Sequence, residues 1–146
     1  MQTSNSGAYM THISWFRDVL RGKNVVLSHT SALEALELFA GYLNEKQIDL
    51  YATEREPYDN INYTIVTGFD GIETTDIGGL RCTTVKQTIN DMLRDYDNID
   101  EQSLVQALSN YYHRHGESFD GLEIEPQYQH IFDSLKDWAM EYYDYD

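Results

Sequence analysis

Carboxylates one helical turn apart are the residues of this chain whose spacing could support catalysis. Asp91 with Asp95 is one such pair and Asp133 with Asp137 is another. Side chains four residues apart on a helix face one another, so either pair could hold a divalent cation for a phosphate-handling reaction. Coincident pairs are nevertheless expected among 25 acidic residues, which usually form solvated faces. We therefore rank a metal-dependent enzyme below the binding functions considered next.

Histidines and short motifs do not favour an enzyme. His113 and His115 are the only closely spaced histidines, and residues two apart on a helix point about 200° away from each other. The sequence has no Gly-rich phosphate loop, nucleophile elbow or His-Glu-x-x-His segment. We expect a protein that is not an enzyme and that has no catalytic residue, metal ligand or cofactor.

The C-terminal part of the chain concentrates acid and tyrosine. Fourteen of the 25 acidic residues and seven of the twelve tyrosines lie between Asp91 and Asp146. Segment 117–146 has nine acids against a single lysine, Lys136. Rigid aromatic side chains among acids favour a protein-binding surface over a reaction centre. The candidate partner-binding residues are Glu123, Glu125, Tyr128, Asp133, Asp137, Glu141, Tyr142, Tyr143, Asp144 and Tyr145.

Net charge, hydropathy and cysteine content together limit the ligands and the cellular location that we expect. At a net charge of −15, with basic residues concentrated only at Arg17, Arg21 and Lys23, phosphate repulsion disfavours direct nucleic-acid binding. No apolar run approaches the ~20 residues that a membrane span requires. The single Cys82 cannot form an internal disulfide, which fits a reducing compartment. We expect a cytoplasmic protein that does not contact membranes.

The order of predicted elements indicates an α+β fold in one domain, residues 11–146, after a flexible leader, residues 1–10. The sheet should be small and mostly antiparallel, with about four strands and about five helices. Ser31 should cap a central helix that runs to about Leu43, and Gly78-Gly79 should turn a hairpin. The predicted elements are a helix from His12 to Leu20, the Ser31 helix, strands Ile48–Thr53, Ile61–Thr67, Ile72–Ile77 and Leu80–Thr83, and helices opening at Thr84, Asp100 and Pro126.

Three segments resemble the C-terminal domain of AbiEi-type antitoxins, the regulators of type IV toxin–antitoxin pairs in bacterial and phage defence. These segments are Val26–Leu36, Ile72–Leu93 and Leu104–Leu108. The resemblance implies a non-enzymatic fold. The 25 residues before Val26 are too few for the winged helix-turn-helix of the full-length family, so we do not expect operator binding. The positions that match the family motif are Ser31, Gly78, Gly79, Thr88 and Asp91.

Three binding functions follow from these patterns. The first is an antitoxin-like protein that binds and opposes a toxin, such as a nucleotidyltransferase, or another partner protein. The second is an acidic inhibitor that imitates nucleic acid and occupies the basic groove of a nuclease or defence protein. The third is a homodimer, whose interface should be small and polar because fifteen like charges repel.

Overall fold

Five helices and five strands make up the part of the chain that this computed structural model describes, residues 4–40 and 47–141. The helices are α1 (Ser4–Val19), α2 (His29–Ala35), α3 (Val85–Arg94), α4 (Glu101–Arg114) and α5 (Gln129–Glu141). The strands are β1 (Val25–Leu27), β2 (Ile48–Ala52), β3 (Ile61–Ile65), β4 (Thr74–Ile77) and β5 (Leu80–Thr83). The predicted mixture of helices with one small sheet is confirmed. Within the described residues, no helix is long and apolar enough to cross a bilayer.

The sheet is mixed rather than mostly antiparallel. Its strand order is β3-β2-β1-β5-β4. β1 pairs antiparallel with β2, and β4 pairs antiparallel with β5, whereas the β2–β3 and β1–β5 pairs are parallel. β1 is the strand beyond the predicted four, and it lies at the centre of the sheet. Its three residues are too short a run to show alternation, so periodicity could not detect it.

Side-chain caps explain why α3 and α4 begin where the sequence predicts. The Thr84 hydroxyl accepts from the Gln87 amide at 3.2 Å, and the Asp100 carboxylate accepts from the Gln102 amide at 3.1 Å. These bonds satisfy amides that have no partner within the helix. Pro126 opens a 3₁₀ turn that leads directly into α5.

The first two helices differ from their predicted bounds. α1 begins at Ser4, earlier than His12. α2 ends at Ala35 instead of near Leu43, and Glu37 then takes a left-handed backbone with φ of 64°, which stops the helix. The predicted Ser31 cap is wrong, because Ser28 occupies the N-cap position and Ser31 lies inside the helix. The Ser31 hydroxyl instead accepts from the amide of Asp49 at 2.8 Å.

Two apolar cores meet at α2. One core packs α1 against one face of the sheet and includes Phe16, Leu50 and Cys82. The other core is built from α3, α4 and α5. Leu36 touches both cores, so the short α2 joins the sheet to the three-helix unit. Cys82 is buried in the first of these cores, and burial raises the pKa of its thiol to about 12.

Candidate functional site

Helix α5 presents a stripe of carboxylates to solvent. Asp133, Asp137 and Glu141 are exposed and follow one another at intervals of four residues, so they lie along one side of the helix. Phe132 and Leu135 hold the opposite side in the helical core. The predicted pairing of Asp133 with Asp137 on one helical face is therefore confirmed.

Trp138 lies beside this stripe, with 44% of its surface exposed. Trp138 occupies the boundary between this stripe and the core face that contains Leu135, because each residue turns the helix by about 100° and Trp138 follows Asp137 directly. The result is a large exposed aromatic side chain at the edge of the stripe.

The loop before α5 adds two further acids. Glu123 and Glu125 are exposed, whereas Leu122 between the helices is buried. The buried Asn90 of α3 fixes this loop: its amide nitrogen donates to the Glu123 carbonyl at 2.8 Å, and its oxygen accepts from the Glu125 amide at 2.8 Å. Lys86 pairs with the Glu123 side chain at 3.0 Å. Asn90 is thus the residue that positions these acids.

We call this surface the acidic face. Tyr128 belongs to it only in part, since its ring packs against the helical core and is half-buried. The predicted residues Tyr142, Tyr143, Asp144 and Tyr145 lie outside the described residues. The members of the acidic face are Glu123, Glu125, Tyr128, Asp133, Asp137, Trp138 and Glu141.

A buried polar network surrounds Asp91, the residue of α3 that follows Asn90. Asp91 is 2% exposed and accepts from the Tyr51 hydroxyl at 2.8 Å and from Gln87 Nε2 at 2.9 Å. Arg94 lies 3.3 Å from Asp91 and also donates to the Tyr51 hydroxyl at 2.9 Å. Burial raises the pKa of Asp91, and the bonds from Tyr51 and Gln87 oppose that rise.

The network continues to the junction of β1 and α2. Arg94 donates to both oxygens of Asp95, and this contact lowers the pKa of Asp95. His29 Nε2 lies 2.8 Å from Asp95, and its Nδ1 lies 2.7 Å from the Ser28 hydroxyl. His29 has a positive φ of 52°, so the chain turns sharply there from strand to helix. These bonds tie α3 to α2 and the sheet.

The network contains the residue types of a reaction centre, but its side chains contact one another and connect α2, α3 and the sheet. Ser28 is fully buried, so its hydroxyl faces His29 rather than a solvent-filled cleft. Asp91 and Asp95 do not face each other across an open ion site, because Arg94 contacts both carboxylates. Among the described residues, no group of three histidine, cysteine, aspartate or glutamate side chains is placed to hold a metal ion.

The other family-motif residues also make structural contacts. Thr88 is buried, and its hydroxyl lies 2.6 Å from that of Thr83 and donates to the Thr84 carbonyl at 2.7 Å. Gly78 and Gly79 have positive φ values of 57° and 90° and form the predicted hairpin turn between β4 and β5.

Helical spacing indicates two of the partners of Asp91, because Arg94 lies three residues after it and Gln87 four residues before it. No spacing rule indicates Tyr51, which belongs to β2 and lies far from Asp91 in the chain. Comparison with known protein families gives no match, and a search among curated proteins finds no similar sequence.

Proposed function

We propose that this protein is a non-catalytic binding protein that opposes a basic partner protein through the acidic face, in the manner of an antitoxin. The observation that carries the proposal is the stripe Asp133, Asp137 and Glu141 beside the exposed Trp138. Such a surface supplies both charge and an aromatic anchor. Tryptophan is enriched among the residues that dominate protein interfaces.

The charges of the acidic face suit a partner with a basic site. Exposed carboxylates speed the encounter with a positively charged surface and repel other acidic proteins. A toxin that binds nucleotides or nucleic acid needs basic residues at its substrate site, since phosphate contacts come mainly from arginine and lysine. An acidic protein covering that site would block it. The resemblance to AbiEi-type antitoxins favours a toxin as the partner.

Co-expression with a toxin gene from the same locus tests this function. The protein should relieve the growth inhibition caused by the toxin, and the triple variant D133N/E141Q/D137N should relieve it at least tenfold less effectively. A matched variant, E54Q/D59N/D70N, removes three exposed carboxylates elsewhere and should protect like the wild type. Equal protection by both triple variants would refute a role for the acidic face.

Imitation of nucleic acid is a second candidate, and the spacing of the stripe favours it. Successive carboxylates four residues apart have Cβ atoms roughly 6 Å apart along one line, which gives a regular row of negative charge. The interaction should then weaken steeply with salt and should compete with an oligonucleotide for the same partner. Imitation of nucleic acid would be excluded if binding to the partner did not depend on ionic strength and the partner bound an oligonucleotide at the same time. The anchoring role of Trp138 would then remain.

A further inference from the structure

Basic side chains line a groove beside the core that α1 forms with the sheet. This open groove has a volume of about 460 Å³ and lies between the end of α1, the start of β1 and the β4–β5 hairpin. The groove is lined by Arg17, Arg21 and Lys23, which form the only cluster of basic residues in the sequence. Arg81 of β5 also lines it. We call this groove, with its four basic residues, the basic groove. These residues are four of the ten lysine and arginine residues in a chain with a net charge of −15.

Two of the guanidinium groups are oriented by neutral atoms. Arg17 Nε donates to the Gly78 carbonyl at 3.0 Å, and Arg81 donates to the side-chain oxygen of Asn24 at 3.0 Å. The Arg81 guanidinium also lies over the Phe69 ring, 5.2 Å from its centroid. These contacts hold both cations without neutralising their charge. Each guanidinium has five N–H groups, so most of its donors are left for a ligand.

The hairpin turn is shaped to admit one of these arginines. A Cβ atom at Gly78 would lie 2.6 Å from a terminal nitrogen of Arg17, and Gly78 has a positive φ. The glycine that turns the hairpin therefore also lets Arg17 approach its backbone. The family-motif position Gly78 thus also leaves room for Arg17, which lines the groove.

Carboxylates near the groove offset its charge only in part. Asp18 pairs with Arg21 at 3.2 Å, and Glu56 pairs with Lys23 at 2.8 Å and raises the pKa of that lysine. Asp76 lines the groove, but one of its oxygens accepts from the Gly79 amide. Four cations face three carboxylates, which leaves a local excess of positive charge.

The floor of the groove is apolar. Leu20 and Leu80 are buried, and Val25 is half-buried. The volume of the groove falls within the roughly 300–1,000 Å³ of clefts and pockets that bind small molecules. A ligand suited to the groove would place an organic body on the aliphatic floor and an anionic group between guanidinium groups. Arginine binds phosphate through paired, charge-assisted hydrogen bonds.

We infer that the basic groove binds a small organic phosphate of about mononucleotide size. The groove takes a single short ligand rather than a polynucleotide, because the remainder of the chain is strongly acidic and repels an extended phosphate backbone. This site does not depend on the acidic face or on its partner, since the two surfaces lie on different cores.

Amide chemical shifts measured by NMR test the site with AMP, inorganic phosphate and adenosine as separate probes. AMP should shift the amide signals of Gly22 and Gly79, which line the groove. Inorganic phosphate should shift them with weaker affinity, and adenosine should leave them unchanged. No shift with up to ~10 mM AMP, or equal shifts with adenosine, would overturn the inference. So would binding of a 5′-phosphorylated oligonucleotide where AMP fails to bind.

Charge-matched variants distinguish the groove from general attraction. R17Q/R81Q should weaken AMP binding at least tenfold, whereas R55Q/K136Q, which removes two cations outside the groove, should leave it unchanged. Because Arg17 also contacts the hairpin, R21Q provides a milder test: its only described partner is the exposed Asp18, and it should weaken binding about threefold. Unchanged AMP affinity in both groove variants would overturn the site.

Discussion

The hydroxyl of Tyr51 is the contact that best tests whether the polar network braces the fold. Tyr51 is 2% exposed, and its hydroxyl donates to Asp91 and accepts from Arg94. Tyr51→Phe keeps the ring and removes only the oxygen. Asp91 then stays buried with one fewer donor, and its charge becomes harder to accommodate.

The expected loss follows from the charge of both partners. A hydrogen bond to a charged group contributes about 1.5–3 kcal/mol, and Arg94 keeps its contacts with Asp95 after the change. We therefore expect Tyr51→Phe to lower the free energy of unfolding by about 2–3 kcal/mol. In a chain of this length that corresponds to a fall in Tm of roughly 5–10 °C.

Tyr63 supplies a matched control with the opposite expectation. Within the described residues, the Tyr63 hydroxyl is buried and has no hydrogen-bond partner. Tyr63→Phe removes the same atom, but here it removes a desolvated polar group. The free energy of unfolding should stay unchanged or rise by up to ~1 kcal/mol.

Urea unfolding followed by circular dichroism measures both variants under identical conditions. At low pH the cost of Tyr51→Phe should shrink, because a protonated Asp91 no longer carries the buried charge that the hydroxyl stabilises. The reasoning would be refuted if the two variants changed stability equally, or if the cost of Tyr51→Phe did not depend on the ionisation of Asp91.

Three further outcomes follow from the described contacts. Because Arg94 lowers the pKa of Asp95 in the folded state, the stability from Asp95 is present at neutral pH and is lost as the pH falls through that lowered pKa. Asp95→Asn should therefore cost about 1 kcal/mol at neutral pH in urea unfolding and nothing in strong acid. Asn90→Ala removes the bonds that fix the acidic loop and should cost about 2–4 kcal/mol in the same assay. In a Trp15→Phe background, partner binding should shift the fluorescence of Trp138 to shorter wavelength, whereas an unchanged spectrum in a saturated complex would place Trp138 outside the interface.

The features of the fold that the sequence predicted correctly depend on residues close together in the chain. A cap involves about three residues and a hairpin turn two. A short stretch of sequence is therefore enough to predict the caps at Thr84 and Asp100 and the turn at Gly78-Gly79. The exposure of Asp133 and Asp137 follows in the same way from the period of one helix. Each of these features depends on neighbours in the chain.

Contacts between distant segments account for what the sequence could not predict. α2 ends at Ala35 although apolar residues continue, because tertiary packing overrides helical periodicity. Asp91 was identified as a motif position, but its partner Tyr51 lies 40 residues earlier in the chain. Arg81 joins the three earlier cations only because β5 pairs with β1 beside the end of α1.

The separation of charge in this protein follows from its two cores. The helical core carries the acidic face on α5, whereas the core of α1 and the sheet carries the basic groove at the β4–β5 hairpin. Salt at physiological strength screens exposed charges beyond about 8 Å, so a short ligand in the basic groove meets mainly the charges of the groove, whereas an extended polynucleotide also meets the acids beyond it. We therefore expect the acidic face to attract a basic protein and the basic groove to attract a phosphate. Neutralising either surface should leave binding at the other intact.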